Sequence, residues 1–351
     1  MRQRTTALVT GGAGFIGSNL VDRLAAGGCK VIVFDTLQRP GVERNLAWLK
    51  QRHGRSIAHR REDVRDADAV LAAARNADVI FHLAAQVAVT TSVADPRADF
   101  SVNLGGTFNV LEAARQRCAP VVFASTNKVY GDLADLDLAL IKDAYAPTNE
   151  RIRKRGVDEK RPLVFHTPYG CSKGGADQYV LDYARTYGVP ACVLRMSCIY
   201  GPRQMGTEDQ GWVAHFLIRT LSGQPITVYG DGRQVRDILE VSDAVNAYLS
   251  AWRKIDAVRG RALNLGGGVA NAISLRQLLS HIEAVTGRRP DVRYEGWRVG
   301  DQRYFVADIS AARRLLELAP PTPWREGVER LASWIKADGA LIEVPAETVA
   351  A

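Results

Sequence analysis

A tyrosine and a lysine four residues apart are the side chains in this sequence best suited to chemistry. Tyr169 and Lys173 lie in T-P-Y-G-C-S-K-G, where Thr167 is expected to cap a helix and Pro168 to occupy its first turn. Positions i and i+4 share one face of a helix, so the ammonium would lie beside the phenol. A nearby cation lowers the pKa of a phenol. The pair therefore predicts a tyrosine that takes a proton from an alcohol while hydride leaves the same carbon.

A second polar cluster ends the apolar run V-V-F-A-S-T-N-K-V-Y-G at residues 121–131. The run predicts a buried strand, whose end would bring Ser125 and Thr126 towards the tyrosine. Asn127 and Lys128 follow directly, where a pair of carboxylates would have indicated elimination chemistry. An amide is a poor acid, and a cationic lysine is a poor base unless its pKa is depressed. These two residues therefore disfavour elimination.

Three glycines follow the first apolar run, in L-V-T-G-G-A-G-F-I-G. Gly11 permits a tight turn, Gly14 lets the backbone approach a pyrophosphate, and Gly17 allows close packing of a helix on a strand. The helix N-terminus adds N–H groups and partial positive charge. Asp35 ends the next strand, where a carboxylate accepts hydrogen bonds from ribose hydroxyls and repels a 2′-phosphate. The loop predicts NAD rather than NADP, a preference that Arg39 weakens slightly.

The elements that must position these residues alternate between strand and helix over the first half of the chain. Nearly continuous apolar strands separated by helical stretches such as 103–117 are typical of a parallel sheet covered on both faces. We expect an α/β fold, a Rossmann-type doubly wound parallel sheet with a smaller mixed α/β substrate domain. The strands are predicted at 7–10, 31–35, 78–83, 120–124 and 191–195.

The domain boundary is expected near residue 196. Residues 1–195 would form the NAD-binding domain, and 196–335 mainly the substrate domain, with part of 225–265 returning to the first. Residues 336–351 are expected to be a tail. The segment 131–166 has no clear periodicity and is read as a long structured loop. Further helices are predicted near 210–222, 242–253, 274–286 and 324–336.

Composition excludes several classes of function. The 351 residues contain no apolar run of the roughly 20 residues that span a bilayer and no signal-peptide core, so a cytoplasmic protein without membrane contact is expected. Five scattered cysteines without a C-x-x-C pair predict neither disulfides nor a metal site. The net charge is +8, but the densest basic run, at 151–155, is interleaved with acids, which disfavours a nucleic-acid partner.

Several of these segments together resemble the extended short-chain dehydrogenase/reductases over about residues 5–335. The resemblance rests on T-G-G-A-G-F-I-G, D-V-R at 63–65, H-L-A-A-Q at 82–86, N-x-x-G-T at 103–107, S-T at 125–126, Y-G-C-S-K, R-Q-V-R-D at 233–237 and R-V-G-D at 298–301. It implies an enzyme that uses NAD on a nucleotide-diphosphate sugar. It also implies a homodimer in which the helices 103–117 and 168–187 form a four-helix bundle with their mates.

The resemblance assigns roles to individual residues. The implied catalytic residues are Thr126, Tyr169 and Lys173. The implied cofactor-binding residues are Gly11, Gly14, Phe15, Ile16, Gly17, Asp35, Asp63, Val64, Leu83, Ala84, Ala85, Asn103, Ser125, Tyr169 and Lys173. The expected substrate-binding residues are Asn127, Lys128, Ser197, Cys198, Gln210, Arg236 and Arg298, the two arginines as a clamp on the diphosphate.

The chemistry implied by the resemblance depends on the two residues after Thr126. Related dehydratases carry Asp-Glu there as acid and base, whereas this chain carries Asn127 and Lys128. Oxidation, rotation of the keto sugar and re-reduction remain, which is the cycle of an epimerase. The segments 125–132 and 199–213 narrow the resemblance to epimerases that oxidise C2 of a CDP-linked 3,6-dideoxyhexose. On this reading residues 207–212 lie along the nucleotide, and a helix starts near Gln210.

Other readings stay open at this point. Many sugar-nucleotide epimerases have Asn where this chain has Cys198, so Ser197 or a backbone group would have to replace its contact with phosphate. A second hypothesis is epimerisation at C4 of a UDP-sugar. A third is deprotonation next to a transient ketone by Lys128 or Cys198, which solvent hydrogen exchange would reveal. A fourth is a non-catalytic NAD-binding protein, which the presence of both Tyr169 and Lys173 disfavours.

Overall fold

The computed structural model describes residues 4–298 and 300–338, so most of the predicted tail at 336–351 lies outside the described residues. In chain order the strands are β1 (Thr6–Thr10), β2 (Lys30–Phe34), β3 (Ile57–Arg60), β4 (Val79–His82), β5 (Val121–Thr126), β6 (Leu138–Ile141), β7 (Ala144–Pro147), β8 (Ala191–Met196), β9 (Cys198–Tyr200), β10 (Ile226–Tyr229), β11 (Val235–Glu240), β12 (Ala262–Leu265), β13 (Ala272–Ser274), β14 (Val292–Glu295) and β15 (Tyr304–Phe305).

The helices surround these strands. In chain order they are α1 (Phe15–Ala26), α2 (Val42–His53), α3 (Ala67–Ala74), α4 (Val89–Ala94), α5 (Pro96–Phe100), α6 (Gly106–Arg117), α7 (Glu150–Arg155), α8 (Thr167–Thr186), α9 (Trp212–Leu221), α10 (Val241–Arg253), α11 (Ile255–Val258), α12 (Leu275–Thr286), α13 (Ser310–Leu316) and α14 (Trp324–Asp338). A π-helical segment, Ser101–Gly105, leads into α6. No helix in the described part of the chain combines the length and the apolar character needed to cross a membrane.

The large sheet confirms the predicted Rossmann-type α/β fold. Its seven strands are parallel and run in the order β12-β8-β5-β4-β1-β2-β3. Side chains alternate between two cores, since Ala7 and Val9 join one and Leu8 joins the other. Strands buried on both faces need apolar residues throughout, which is why their sequences are nearly continuous apolar runs. The strand order reverses between β1 and β4, and such a switch point opens a crevice at the carboxyl ends of the strands.

A second layer is built from the later part of the chain. Strands β9, β11, β13 and β15 form one small sheet, and β10 pairs with β14 in another. Helices α9, α12 and α14 cover a third core that includes Phe216 and Leu278. Strand β12 pairs with β8, so the chain returns to the large sheet after β11. From this layer, Gln204, Gln210 and Gly211 line the same crevice.

The segment 131–166 has more regular structure than its sequence indicated. Strands β6 and β7 form an antiparallel hairpin, and α7 follows directly. The backbone N–H of Tyr145 donates to the carbonyl of Arg233 at 3.0 Å, which attaches the hairpin to the second layer. Strands of four residues are too short to show a clear period, which explains why the sequence pattern missed them.

Candidate active site

The turn between β1 and α1 leaves no room for side chains at its glycines. Gly11 has φ +69°, and a Cβ there would lie 2.7 Å from the backbone nitrogen of Ala84. A Cβ at Gly17 would lie 2.1 Å from the carbonyl oxygen of Gly11. Gly14 is the N-cap of α1 and makes no side-chain cap. The first-turn N–H groups of α1 therefore face the crevice as an anion site, which fits the pyrophosphate of NAD.

The carboxylate of Asp35 is fixed at the end of β2 by two backbone groups. Its oxygens accept hydrogen bonds from the N–H of Ala13 and of Leu37, both at 2.9 Å. Two acceptor oxygens with lone pairs to spare fit the hydroxyls of a ribose. Arg39 also lines the crevice, and burial lowers the pKa of its guanidinium.

A single cleft of about 590 Å³ brings most of the predicted residues together. Among the predicted cofactor and catalytic residues, those that line it are Gly11, Gly14, Phe15, Ile16, Gly17, Asp35, Asp63, Val64, Leu83, Ala84, Ala85, Ser125, Thr126, Tyr169 and Lys173. Of the predicted substrate residues, Ser197, Cys198 and Gln210 line it. Five predicted residues lie outside its lining, namely Asn103, Asn127, Lys128, Arg236 and Arg298.

Tyr169 and Lys173 lie on the buried face of α8. A hydrogen bond joins the Tyr169 hydroxyl to Thr126, and the Lys173 ammonium donates to the carbonyl of Ala124 at 2.6 Å. Burial raises the pKa of Tyr169 to about 12, which the Thr126 hydrogen bond opposes. Burial lowers the pKa of Lys173 to about 7, against the attraction of Asp177 and Asp99. Desolvation dominates both groups, so the net pKa of Tyr169 lies above its usual value, and the predicted lowering of this pKa by the lysine stays a prediction.

The start of α8 differs slightly from the prediction. The helix includes Thr167, and His166 is its N-cap without a side-chain hydrogen bond. Thr167 has φ +63°, and its hydroxyl still accepts from the N–H of Gly170 at 3.3 Å. This is the contact of a capping side chain, so the boundary shifts by one residue while the capping oxygen stays where it was expected.

The Ser125 hydroxyl is directed away from the cleft into a buried ion pair. It donates to Asp177 at 2.8 Å, and Asp177 accepts from Arg195 at 2.8 Å. Arg195 in turn donates to the hydroxyl of Tyr130 at 3.1 Å. Ser125 therefore offers the cleft its backbone, and its hydroxyl fixes the end of β5 against α8.

Asn103 lies in the π-helical segment and acts on the cleft through another residue. Its amide accepts from the N–H of Gln86 at 2.9 Å and donates to the carbonyl of Gln86 at 3.0 Å. It also donates to Asp99 and Ser172. With all its groups engaged, Asn103 fixes the Gln86 backbone, which lines the cleft, and its predicted contact with the cofactor stays a prediction.

Asp63 lines the cleft and forms a local ion pair there. Its carboxylate accepts from the Arg65 guanidinium at 2.6 and 3.0 Å, which holds the pKa of that carboxyl below its usual range. Val64 packs against Gly106, where a Cβ would lie 2.6 Å from its Cγ2 atom. These contacts set the wall at the end of the cleft opposite Tyr169.

The residues after Thr126 turn away from the cleft in the single helical turn Asn127–Tyr130. The Asn127 amide donates to the side-chain oxygen of Gln302 at 3.1 Å, and the Lys128 ammonium donates to the carbonyl of Gly300 at 2.9 Å. Burial, followed by the charge of Arg236, lowers the pKa of Lys128 to about 8. Lys128 is therefore far less firmly cationic than an exposed lysine.

The two arginines that were predicted to bind the substrate diphosphate lie in different environments. Arg236 is buried and donates to the carbonyl of Val235 at 2.8 Å. Arg298 lies with its guanidinium 3.6 Å from the ring centroid of Tyr229 and pairs with Glu208 at 3.1 Å and Asp209 at 3.3 Å. Both arginines lie outside the lining of the cleft, and Arg298 already has two carboxylate partners.

Ser197 and Cys198 lie where the chain passes from the large sheet to the second layer. The Ser197 hydroxyl bonds to Asp237, so it is committed within the protein. The Cys198 sulfur accepts from Trp212, and burial raises the pKa of its thiol against the charges of Arg236 and Lys128. The expectation that Ser197 replaces a phosphate-binding Asn has no support in these contacts.

Three glutamines supply a test of whether the cleft fits a ligand. The side-chain oxygens of Gln86, Gln204 and Gln210 are buried beside the cleft without a hydrogen-bond donor among the described residues. Buried acceptors call for donors, and ribose hydroxyls and a nicotinamide carboxamide supply them. The cleft therefore fits NAD. The sequence reading missed Gln86 and Gln204, although both follow strand ends, in H-L-A-A-Q and I-Y-G-P-R-Q.

The sequence matches the NAD dependent epimerase/dehydratase family over residues 7–266. It is 40% identical over 339 residues to the CDP-paratose 2-epimerase of Salmonella typhi, covering 93% of this chain and 98% of the relative. The fold matches a UDP-glucose 4-epimerase from Thermus thermophilus in complex with NAD, with TM-score 0.79, 31% identity and coverage of 95% and 99%. For a UDP-glucose 4-epimerase from Thermotoga maritima with UDP-glucose, the TM-score is 0.82 at 29% identity, with coverage of 95% and 99%.

The chain belongs to the NAD-dependent epimerase/dehydratase family. It is an enzyme with NAD as its cofactor, and more narrowly an NAD-dependent sugar-nucleotide epimerase. The predicted resemblance to the extended short-chain dehydrogenase/reductases is thereby confirmed.

Proposed function

We propose that the protein converts CDP-paratose and CDP-tyvelose into one another by epimerisation at C2. The observation that carries this proposal is the 40% identity to a CDP-paratose 2-epimerase across nearly the whole of both chains. The end of β5 supports it, since Asn127 and Lys128 provide no acid–base pair for elimination and point away from the cleft.

NAD, when bound, accepts a hydride from the sugar carbon and returns it. Tyr169, as its phenolate, would take the proton of the C2 hydroxyl while the hydride leaves C2 for the bound cofactor, so the sugar gives up these two hydrogens and becomes a ketone. After the keto sugar has turned its other face to the same site, Tyr169 returns the proton to the ketone oxygen as the hydride comes back. Thr126 holds the Tyr169 hydroxyl through their hydrogen bond in both half-reactions.

Lys173 is the residue placed to make Tyr169 an effective base. A phenol with a pKa of about 12 yields little phenolate at neutral pH, so it needs a cation nearby. Lys173 lies one turn along α8, and Asp177 and Asp99 favour its protonated form against the burial that lowers its pKa to about 7. Protonated Lys173 favours the phenolate for proton abstraction, and its ammonium can hydrogen-bond the nicotinamide ribose.

The diphosphate of the substrate is assigned to Arg236 and Arg298. Guanidinium groups can bind phosphate oxygens through two parallel hydrogen bonds. Arg236 lies close enough to the cleft residue Cys198 to lower the pKa of its thiol, and Arg298 pairs with Glu208, two residues before the cleft residue Gln210. Gln210 lines the cleft with a buried acceptor oxygen one residue before Gly211, the N-cap of α9. A nucleotide base with an exocyclic amine suits that acceptor.

A second candidate is epimerisation at C4 of a UDP-sugar. Two solved structures with TM-scores of 0.82 and 0.79 are UDP-glucose 4-epimerases, and the same proton and hydride transfers serve either carbon. The residues that hold the hexose and the base decide between the two candidates.

The homodimer is also proposed here, from the exposed aromatic side chains of α6 and α8. Phe108 is 44% exposed and Tyr179 45% exposed, and their rings pack edge to face at 6.2 Å. Phe100 lies 57% exposed just before these helices. A second copy that covers this face would bury them. A monomeric mass in light scattering at micromolar concentration would contradict the proposal.

Proton NMR of the purified enzyme with CDP-paratose in D₂O tests the function. We expect conversion at C2 with retention of the carbon-bound hydrogen, because the hydride returns to the carbon it left. Conversion with deuterium uptake would instead show deprotonation next to a ketone. If CDP-paratose is unchanged while UDP-glucose is converted to its C4 epimer, the second candidate is correct.

A further inference from the structure

We propose that Asn127 and Lys128 are positioning residues that anchor the loop carrying Arg298 to the catalytic end of β5. The clamp loop is defined here by Arg298, Gly300, Asp301 and Gln302. The proposal rests on the proposed function in one respect, the assignment of Arg298 to the substrate diphosphate. It answers why an amide and an amine, rather than two carboxylates, follow Thr126.

Three side-chain hydrogen bonds join the two segments, although they lie more than 170 residues apart in the sequence. Asn127 donates to Gln302 at 3.1 Å, Lys128 donates to the Gly300 carbonyl at 2.9 Å, and Gln302 donates back to the carbonyl of Gly131. Gln302 is fully buried and Asn127 is 8% exposed. Buried polar groups that satisfy one another in this way hold a single arrangement, because each loss would leave an unpaired group.

Carboxylates at positions 127 and 128 would not fit the hydrogen-bond partners in the clamp loop. The Gly300 carbonyl and the Gln302 side-chain oxygen are both acceptors, and each faces a donor from Asn127 or Lys128. An ionised carboxylate has no donor and would oppose these oxygens. The acid–base pair of a dehydratase is therefore incompatible with this anchor.

The clamp loop also packs against the start of the catalytic helix. Gly300 has φ +75°, and a Cβ there would lie 2.9 Å from the Cγ2 atom of Thr167. Asp301 closes a turn by donating to the carbonyl of Arg298 at 3.2 Å. The anchor thus lies between Thr126 and Thr167, the two segments that place the Tyr169 hydroxyl.

Arg298 begins the clamp loop and lies beside Glu208 and Asp209. The guanidinium rests on Tyr229 and pairs with Glu208, so it is placed laterally by the second layer. Its distance from Tyr169 is set by the anchor, since these three are the side-chain hydrogen bonds between the loop and residues 121–131 in the described part of the chain. A displaced loop would weaken the grip on the diphosphate and leave the reacting groups intact.

The test compares Lys128→Met and Gln302→Met with Lys128→Arg and with the control Lys160→Met, which changes an exposed lysine of the segment 131–166. Amide hydrogen exchange is measured first, without substrate. We expect at least about tenfold faster exchange in residues 300–305 for both methionine variants of the anchor, because Lys128→Met removes one of its three hydrogen bonds and Gln302→Met removes the other two. Lys128→Arg, which keeps a donor, and Lys160→Met should exchange at the wild-type rate. Unchanged exchange in both anchor variants would overturn the proposal.

Steady-state kinetics with CDP-paratose separate positioning from catalysis. We expect KM to rise about tenfold in Lys128→Met with kcat within about threefold of wild type, and Lys128→Arg to restore KM. A fall in kcat of about a hundredfold with unchanged KM would show that Lys128 touches the reacting atoms, which contradicts the proposal. If wild type does not turn over CDP-paratose, the proposed function fails, while the exchange measurement still decides the anchor.

Discussion

The two sides of the crevice are built in different ways. On the cofactor side, the turn after β1 and the end of β2 are close in sequence, and backbone sterics at Gly11 and Gly17 set their shape. On the substrate side, Lys128 meets Gly300 and Arg298 meets Glu208, all through side chains from distant segments. Main-chain geometry leaves little freedom, whereas side-chain pairs can be exchanged one at a time. We therefore expect substitutions on the substrate side to alter substrate preference while the NAD-binding turn keeps its shape.

The largest effect is expected where the two sides meet, at Tyr169. Tyr169→Phe keeps the buried ring and removes the hydroxyl that transfers the proton. Loss of a general acid–base group lowers kcat by about 10²- to 10⁴-fold. The measurement is kcat for epimerisation together with the amount of bound NAD, which should be unchanged. Tyr294→Phe, which removes the hydroxyl of an exposed tyrosine in β14, is the matched control. A loss of less than about tenfold would place the proton transfer on another group.

A smaller effect is expected from the backbone of the cofactor side. Gly17→Ala adds a Cβ that would lie 2.1 Å from the Gly11 carbonyl oxygen, so α1 must shift away from β1. Overpacking of this kind costs about 1–3 kcal/mol. We expect a lower Tm and release of NAD on gel filtration. Gly27→Ala, at the other end of α1, meets its nearest atom at 3.3 Å and serves as the control. Full retention of NAD by Gly17→Ala would contradict a cofactor side fixed by main-chain sterics.

Sequence reasoning reached the cofactor side because its signals are local. Gly11, Asp35 and the Tyr169–Lys173 pair sit at short spacings that only a strand–turn–helix or a single helical face explains. The same reasoning did not include the burial of Tyr169, which is the largest cause of the net rise in its pKa. Burial is a property of the assembled fold, so spacing could not reveal it.

For the substrate side, the sequence predicted which residues take part but not which contacts they make with one another. Arg298 was expected to bind phosphate, and its ion pairs with Glu208 and Asp209 could not be foreseen from residues 90 positions away. Lys128 was considered as a base, and its bond to Gly300 joins segments that no local pattern connects. Long-range side-chain pairing carries no periodic signal, which is why this half needed the structure.

The pH dependence of KM tests the contribution of Lys128 to the substrate side of the crevice. Its pKa is lowered to about 8, so the ammonium present below pH 8 becomes a neutral amine above it. Arg236 lowers this pKa further, while Asp301, Cys198 and Asp132 raise it. Hydrogen bonds from charged donors are roughly twice as strong as neutral ones, so the bond to Gly300 weakens as pH rises. We expect KM to increase about three- to fivefold between about pH 7 and 9.5.

The matched variant for that series is Lys128→Arg. A guanidinium stays charged throughout this range, so its KM should be independent of pH. The contact of the glycine turn with the pyrophosphate should not contribute to this pH dependence, because backbone N–H groups do not titrate in this range. An equal rise of KM in wild type and Lys128→Arg would assign the pH dependence to another residue.

The smallest change in KM is expected from removing a carboxylate that forms an ion pair with Arg298. Glu208 and the substrate diphosphate compete for the same guanidinium, and a partly exposed ion pair of this kind is worth about 0–1 kcal/mol. Glu208→Gln removes the charge and keeps an oxygen for the Tyr229 hydroxyl. We therefore expect KM to fall about two- to threefold with kcat unchanged. Glu150→Gln makes the same charge change on exposed α7 and should leave KM alone. A higher KM in Glu208→Gln would mean that the carboxylate orients Arg298 instead of competing for it, and the substrate side would then be as preformed as the glycine turn.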